Sequence, residues 1–286
     1  MAQEALKPVY MVYPGLYPLL MVNYWLRRSR TPIAAIMLSD FEIKYKGRIL
    51  GFFEMLLGMI QHTGFRYTFY MLLIAKWAVP IVDTWNMFRK LMGKRIKIKS
   101  YEQISREYGI PLYYSRDFNS EAVKKFLANI GANTIISAYN NQILRSAVYK
   151  IPTLGAYNIH PAMLPNFRGL DGPFEAMYHE VKNAGVTIHW IDNKIDTGRI
   201  VCQEPVKIRR DDSLFSLSVR CWMHGAKVLE KVFGMIRQGN VESRKQDPKE
   251  IQYPYQSFPD KARVRDFHKK GRKLFTIHDF VHTFKD

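Results

Sequence analysis

Short apolar runs that alternate with helical stretches limit the fold of this chain more than any other feature of its sequence. Strands rich in β-branched and aromatic residues are predicted at 7–13, 32–39, 111–115 and 133–138. Helices are predicted between them at 16–30, which ends in bases, and at 121–130, which follows the capping residues Asn119 and Ser120. This alternation predicts an α/β fold with a mostly parallel, doubly wound (Rossmann-like) sheet and flanking helices.

Residues 42–100 interrupt this alternation with a basic segment that is rich in aromatic residues. The segment contains eleven bases and three acids, and apolar runs such as GFFEMLLGMI fill the intervals. Its spacing predicts helices, with a break at Pro80 because proline lacks the N–H that a helix interior needs. The composition is typical of an amphipathic helical hairpin at a membrane interface. It fits equally a helical pair packed on the sheet with solvated charges.

Charge is the most unusual property of the composition. Lysines and arginines number 43 against 25 acids, a formal net charge of +18. This excess predicts an anionic partner: a nucleic acid, a phosphorylated small molecule or a membrane surface. The most apolar stretch, at 67–85, contains Lys76, Pro80 and Asp83, so we expect no spanning helix. No signal peptide is evident, and Cys202 and Cys221 have no metal-ligand spacing, which together predict reduced thiols in a cytoplasmic protein.

Functional residue types concentrate between residues 155 and 199. Residues 157–160 alternate like a strand, so Asn158 and His160 are expected to project from the same face. An amide donor beside an imidazole is suited to polarising a carbonyl and moving a proton. A loop shaped by prolines and glycine follows, then a helix, a strand at 185–191, and a polar loop that presents Asp196.

The segments NIHPAMLPNFRG and GVTIHWIDNKIDTGRIV together resemble the folate-dependent formyltransferases, which include glycinamide ribonucleotide, methionyl-tRNA and sugar-nucleotide enzymes. The family pattern is Asn-x-His-x-Ser-Leu-Leu-Pro followed further along by Asp-x-Gly, and it is matched by Asn158, His160 and Asp196. Ala162-Met163 stands where Ser-Leu is usual, a departure that concerns loop packing more than chemistry. The resemblance covers roughly residues 133–205, is fainter at 108–113 and does not extend to 42–100.

This resemblance implies the formyltransferase fold and an enzyme that moves a formyl group from 10-formyltetrahydrofolate to a primary amine. Asn158 would donate to the formyl oxygen, His160 would share that role and assist proton transfer, and Asp196 would orient His160 or relay the proton through water. Backbone groups of two loops would hold the pterin. The matching cofactor positions are Asn141, Gln142, Ile143, Leu144, Asp192 and Ile195. Among these positions, Ile143 and Leu144 fit core packing equally well.

Other residues in this region have weaker functional signals. Arg168, in the FRG turn, is a candidate contact for an anionic acceptor, or else a solvated base. For His189, on the strand before the aspartate loop, the sequence favours a satisfied core histidine over a pocket residue. The remaining histidines have no metal-ligand spacing, so we expect no metal site.

The order of these segments predicts the domain organisation and narrows the acceptor. We expect residues 1–210 to form the catalytic domain with its insertion at 42–100, and 211–286 to add a helix and a basic tail that pack on it. About 80 residues follow Pro205, too few for the basic β-barrel of a methionyl-tRNA enzyme, and a glycinamide ribonucleotide enzyme does not need the insertion. This leaves as the expected acceptor an amino sugar on a nucleotide or lipid carrier, or an unfamiliar amine. A nucleic-acid partner is not favoured, and a homo-oligomer is compatible with the sequence.

Two other functions fit parts of the sequence. A 10-formyltetrahydrofolate hydrolase uses the same three residues with water as acceptor, but its N-terminal regulatory domain does not fit in the roughly 30 residues before the second predicted strand. Alternatively, a basic protein binds membrane or RNA through residues 42–100 and keeps a vestigial catalytic domain. The intact set of Asn158, His160 and Asp196 argues against this alternative. The expected location is cytoplasmic, with peripheral attachment at the inner face of the membrane.

Overall fold

The computed structural model describes residues 4–39, 44–45, 48–49 and 51–284, and within them seven strands form the main sheet. The strands are β1 (Pro8–Val12), β2 (Ala35–Ser39), β3 (Leu112–Ser115), β4 (Thr134–Ala138), β5 (Ala156–His160), β6 (Asn183–Trp190) and β7 (Ile200–Lys207). Their order across the sheet is β3-β2-β1-β4-β5-β6-β7. The strands β3, β2, β1, β4 and β5 are parallel to one another, whereas β6 and β7 are each antiparallel to their neighbours. The predicted α/β fold with a mostly parallel sheet is confirmed.

Helices cover the sheet on both faces. They are α1 (Leu16–Arg28), α2 (Phe52–Thr63), α3 (Phe65–Leu72), α4 (Ala78–Leu91), α5 (Tyr101–Tyr108), α6 (Glu121–Asn129), α7 (Ser146–Tyr149), α8 (Gly172–Tyr178), α9 (Leu214–Arg237), α10 (Lys261–Lys269) and α11 (Ile277–Phe284). Two short strands, Lys44–Tyr45 and Arg48–Ile49, pair separately from the main sheet.

Alternation along β1 divides the core into two layers. Tyr10 and Val12 belong to the larger apolar cluster, which α1 and α9 complete, and Trp25 of α1 packs edge-on against Tyr10. Val9 and Met11 point the other way into a smaller cluster under α6. Every residue of β1 is buried, as expected for a strand covered on both faces.

The segment after the second strand is helical, but the predicted break at Pro80 is wrong. A wide π-helical turn, Leu73–Trp77, joins α3 to α4, and the helix runs without interruption from Phe65 to Leu91. Pro80 lies in the first turn of α4, where a missing N–H costs little because the turn before it is already widened. Five of the residues in the predicted insertion, 42, 43, 46, 47 and 50, lie outside the described residues.

By length and composition alone, this helix could cross a membrane. A core helix of a soluble protein passes the same test, so this single helix is weak evidence for a membrane span. In this fold one side of the helix contacts the α/β core, because Tyr67, Tyr70 and Ile74 are buried members of the larger cluster.

A partly buried carboxylate connects α3 to the start of α8. Tyr67 Oη donates to Asp171 Oδ2 at 2.5 Å, and Asp171 caps α8 by accepting from the Phe174 N–H. Asp171 has φ 53°, in the left-handed region that aspartate tolerates better than most residues. Burial raises the pKa of Asp171 to about 6, although the hydrogen bonds from Tyr67 and Phe174 act in the opposite direction.

We predict that Asp171→Asn gains stability relative to the wild type as pH rises. The pKa of about 6 lies above that of an unfolded aspartate, so the wild type loses free energy of unfolding as pH rises from about 4 to about 6. Asparagine caps the helix without this ionisation. Urea unfolding near pH 4 and near pH 8 should show a relative gain of about 2–3 kcal/mol for Asp171→Asn. A difference between the two proteins that does not change with pH would contradict this assignment.

Candidate active site

The carboxylate of Asp196 brings together the three polar residues that the sequence singled out. Asn158 and His160 lie two residues apart on β5 and therefore project from one face. Asn158 Nδ2 donates to Asp196 Oδ1 at 3.3 Å, and His160 Nδ1 lies 3.6 Å from Asp196 Oδ2. Asp196 lies in the loop after β6. Because β6 is antiparallel to β5, this loop starts beside the beginning of β5, and Asp196 reaches back along the strand to Asn158 and His160.

A second imidazole, that of His189, belongs to the same cluster. His189 Nδ1 donates to the Trp190 carbonyl at 2.8 Å, which leaves Nε2 to accept from Asn158 Nδ2 at 3.2 Å. Nε2 also lies 3.5 Å from Asp196 Oδ1. His189 is a satisfied, buried histidine, as the sequence favoured, but it lies within the site. The register between β5 and β6 places His189 in the site, because His189 is directly opposite Asn158.

The backbone around Asp196 is held by residues distant in sequence. The Gly169 N–H donates to Asp196 Oδ2 at 2.9 Å. Gln246 Nε2 donates to the carbonyls of Asp196 and Gly198, at 2.9 and 2.8 Å. A Cβ at Gly198 would collide with the carbonyl oxygen of Trp190, so the Asp-x-Gly sequence requires its glycine for space.

The charge of Asp196 is fixed by its neighbours. Burial alone would raise the pKa of this carboxyl, but the imidazoles of His160 and His189 and the Gly169 N–H outweigh it. The net result holds the pKa of Asp196 well below its ordinary range. The site therefore keeps a permanent negative charge beside two imidazoles and one amide.

The loop after β5 fixes the orientation of His160. His160 Nε2 donates to the Phe167 carbonyl at 2.8 Å, so that Nδ1 faces Asp196. Thr187, opposite His160 on β6, secures the start of this loop, because its hydroxyl donates to the Ala162 carbonyl at 2.6 Å and accepts from the Leu164 N–H. The histidine is 5% exposed, and its ring is held by the hydrogen bond at Nε2.

The predicted cofactor loop leaves the sheet beside the catalytic strand. It follows β4, which pairs in parallel with β5, so both strands end at the same edge of the sheet. Asn141 accepts from the Ser39 hydroxyl at 2.9 Å, and Gln142 accepts from the Phe118 N–H at 2.8 Å. Ile143 is 59% exposed and available to a ligand, whereas Leu144 is buried in the smaller core cluster. The two apolar positions therefore have different surroundings.

The second predicted cofactor loop lies against α7, the helix that follows the first loop. Tyr149 Oη, in α7, donates to Asn193 Oδ1 at 2.8 Å, and Asp192 accepts twice from the Thr197 hydroxyl within the same loop. Ile195 is 42% exposed. Asn140, which sequence reasoning missed, has a buried Nδ2 without a hydrogen-bond partner among the described residues. Exposed apolar side chains and an unused amide donor fit a flat heteroaromatic ring with polar edges, such as a pterin.

Arg168 points toward the aspartate loop. Its Nε and Nη2 donate to Gln246 Oε1 at 3.1 and 2.7 Å, and Gln246 in turn holds the Asp196 backbone. Arg168 is therefore anchored to Gln246 through two of its nitrogens, and its predicted contact with an anionic acceptor stays a prediction. Gln246 was not identified from sequence, because it lies 50 residues beyond Asp196 in a segment without motif or periodicity.

The fold and site define an α/β protein with a carboxylate-centred polar site where its central parallel strands end. Residues 80–233, more than half of the chain, match the family model described as formyl transferase, and the chain therefore belongs to the formyltransferase family. The match extends beyond the region of resemblance, 133–205, at both ends.

Three proteins illustrate these similarities. A methionyl-tRNA formyltransferase of Kosmotoga olearia is 30% identical over 161 residues, which cover 56% of this chain and 52% of that protein. The phosphoribosylglycinamide formyltransferase of Anaplasma phagocytophilum has a TM-score of 0.54 at 18% identity, covering 89% of this chain and 99% of that one. An N-formyltransferase from Helicobacter canadensis, in complex with folinic acid and dTDP-3-aminofucose, has a TM-score of 0.54 at 16% identity, covering 88% and 71%.

These comparisons establish the formyltransferase fold, because the solved structures share it at low sequence identity. The chain spans about half the length of the curated relatives that it matches.

We predict that Gln246→Ala destabilises the protein by about 1–3 kcal/mol, because it leaves Arg168 and two loop carbonyls without their partner. Gln252→Ala, at an exposed glutamine in the same segment, is the matched control and should change stability by less than about 0.5 kcal/mol. Chemical unfolding of both variants measures the difference. Equal stabilities would show that Gln246 does not support the aspartate loop.

Proposed function

We propose that this protein is a folate-dependent N-formyltransferase that moves a formyl group from 10-formyltetrahydrofolate to a primary amine. The observation that carries the proposal is the convergence of Asn158, His160 and His189 on the ionised carboxylate of Asp196. A chain of the formyltransferase family that had lost its activity would have no reason to keep this arrangement.

Formyl transfer places two demands on the site. When an amine attacks the formyl carbon, negative charge develops on the formyl oxygen, and the attacking nitrogen must lose a proton. Asn158 meets the first demand by donating to that oxygen. Its present bonds, 3.2 and 3.3 Å long, exceed the common length for such donors and are replaced at small cost.

His160 and Asp196 meet the second demand. His160 accepts the proton of the attacking nitrogen at Nδ1, the ring nitrogen that is not bonded to the Phe167 carbonyl, and the proton then passes to the nitrogen that leaves. Asp196 stays ionised throughout and stabilises the positive charge on the imidazole in between, at 3.6 Å. His189 keeps the Asn158 amide in place from the opposite strand.

The donor supplies the formyl group, and the two loops beside β5 would hold it. We assign the cofactor contacts to Asn141, Gln142, Ile143, Asp192 and Ile195. The exposed isoleucines offer apolar surface, and the free amide of Asn140 offers an additional donor. Leu144 supports the loop from within the core.

For the acceptor we propose an anionic amine, namely an amino sugar on a nucleotide or lipid carrier. The net charge of +18 favours an anionic substrate. The Helicobacter canadensis protein of similar fold is described with dTDP-3-aminofucose, an amine of this class. Methionyl-tRNA, the acceptor in the names of the curated relatives, is the competing candidate. We propose that the enzyme is cytoplasmic and attaches peripherally to the inner face of the membrane. We also propose that residues 1–210 form the catalytic domain and that residues 211–286 pack on it.

We predict that His160→Ala and Asp196→Ala each lower formyl transfer by a factor of about 100 or more, because each removes a group from the proton path. Folate binding should survive, since the pterin contacts lie in other residues. Mass spectrometry across an amine panel that includes methionyl-tRNA detects the product as the addition of one CO unit.

His62→Ala and Asp211→Ala, at exposed positions outside the site, are the matched controls and should retain wild-type turnover. Retention of more than a few per cent of turnover by both site variants would overturn the proposed roles. Formate release that does not depend on any amine would instead identify a hydrolase.

A further inference from the structure

The helix from Phe65 to Leu91 has apolar side chains on two opposite sides. Its inner side faces the core and is buried at Tyr67, Tyr70, Ile74, Ala78 and Val82. Its outer side is exposed to solvent and repeats at intervals of three or four residues, apart from one interval of eight that spans the π-helical turn. This outer face consists of Phe65, Phe69, Trp77, Ile81, Trp85, Phe88 and Leu91, and α2 adds Phe53 and Leu57.

The exposure of the outer face is concentrated rather than scattered. Of the eighteen exposed large hydrophobic residues among those described, eleven lie between Phe53 and Met92. Their rings touch one another: the ring of Phe69 lies between those of Phe65 and Trp77, with centroids 6.3 and 5.8 Å away. Trp85 and Phe88, whose ring centroids are 5.9 Å apart, lie further along the same helix. A contiguous apolar surface of this kind on a soluble fold indicates an interaction site.

Bases flank the outer face. Residues 51–100 contain eight bases and two acids. Three exposed bases are adjacent in sequence to outer-face residues, namely Arg66 to Phe65, Lys76 to Trp77 and Lys90 to Leu91. Two more exposed bases, Lys94 and Arg95, follow the end of α4. An apolar aromatic strip with a basic border matches the interface of an anionic bilayer, where rings lie at headgroup depth and bases contact phosphates.

We propose that the outer face is a docking surface for an anionic lipid bilayer. A second copy of this chain is disfavoured as the occupant, because two faces with the same basic border repel each other. A nucleic acid would pair with the bases but leave the apolar centre of the strip without a complementary surface. The helix lies flat on the bilayer rather than crossing it, since its inner side remains packed on the core.

The docking surface and the active site belong to one packed unit. Tyr67, on the inner side of the same helix, donates to Asp171, and two residues earlier the Gly169 N–H holds the carboxylate of Asp196. Docking therefore places the site at a fixed position relative to the membrane. If the proposed formyl transfer is correct, this position favours an amine that is carried on a lipid.

Sedimentation with vesicles tests the docking surface without reference to catalysis. The protein should pellet with vesicles containing phosphatidylglycerol and remain in the supernatant with phosphatidylcholine alone. Raising the salt concentration should release it steeply, because exposed charges are screened within about 10 Å at 0.1 M. Trp85→Glu/Phe88→Glu and Lys90→Glu/Lys94→Glu should each lower the bound fraction at least tenfold.

Matched controls separate this surface from general effects of charge and apolar exposure. Ile277→Glu and Lys269→Glu change an exposed apolar residue and an exposed base outside the docking surface, and each should bind like the wild type. All variants should keep the wild-type unfolding transition and its formyl transfer to a soluble amine, so that failure of docking and failure of the proposed activity are distinguished.

Three results would overturn the proposal. One is equal recovery in the supernatant with anionic and neutral vesicles at low salt. Another is equal binding by outer-face variants and controls. The third is a concentration-dependent dimer in sedimentation velocity that the outer-face substitutions abolish while vesicle binding is unaffected, since a second copy would then occupy the surface.

Discussion

The positions of the other polar groups in the site depend on their contacts with the carboxylate of Asp196. It lies against the Asn158 amide, the imidazoles of His160 and His189, and the Gly169 N–H. These groups come from two strands and the loop between β5 and α8, so one charge fixes their relative positions. Removing the charge would leave buried donors without an acceptor, which costs more than any of these contacts contributes singly. The sheet provides the frame because antiparallel pairing of β5 and β6 sets His189 opposite Asn158.

Much of this arrangement could be predicted from local sequence. The alternation of apolar runs predicted the parallel sheet, and the two-residue spacing of Asn158 and His160 predicted that they share a face. The contribution of His189 depends on register between strands, and that of Gln246 on a contact across 50 residues of chain, so neither has a local signal. The break predicted at Pro80 failed because a π-helical turn just before it accommodates the missing N–H.

The helices between the second and third strands show why composition alone could not separate two interpretations. A core helix and an interfacial helix both require apolar residues, and this helix has them on both sides. Tyr67 and Tyr70 are buried, whereas Phe65 and Trp85 of the same helix are 69% and 43% exposed. The structure shows that the apolar residues on one side of the helix complete the core, whereas those on the other side face solvent. The same helix also reaches the active-site loop through Asp171, which no pattern in the sequence indicated.

The most direct test of the central claim is single-turnover formyl transfer by Asn158 variants, with the dissociation constant for folate measured in parallel. Asn158→Ala should lose about 2.7–4 kcal/mol of transition-state stabilisation, because the donor to the developing oxyanion is gone. Asn158→Asp should lose at least as much, since a carboxylate cannot donate and would also face Asp196. Folate affinity should be unchanged in both variants. Near wild-type transfer by Asn158→Asp would show that Asn158 does not donate to the oxyanion.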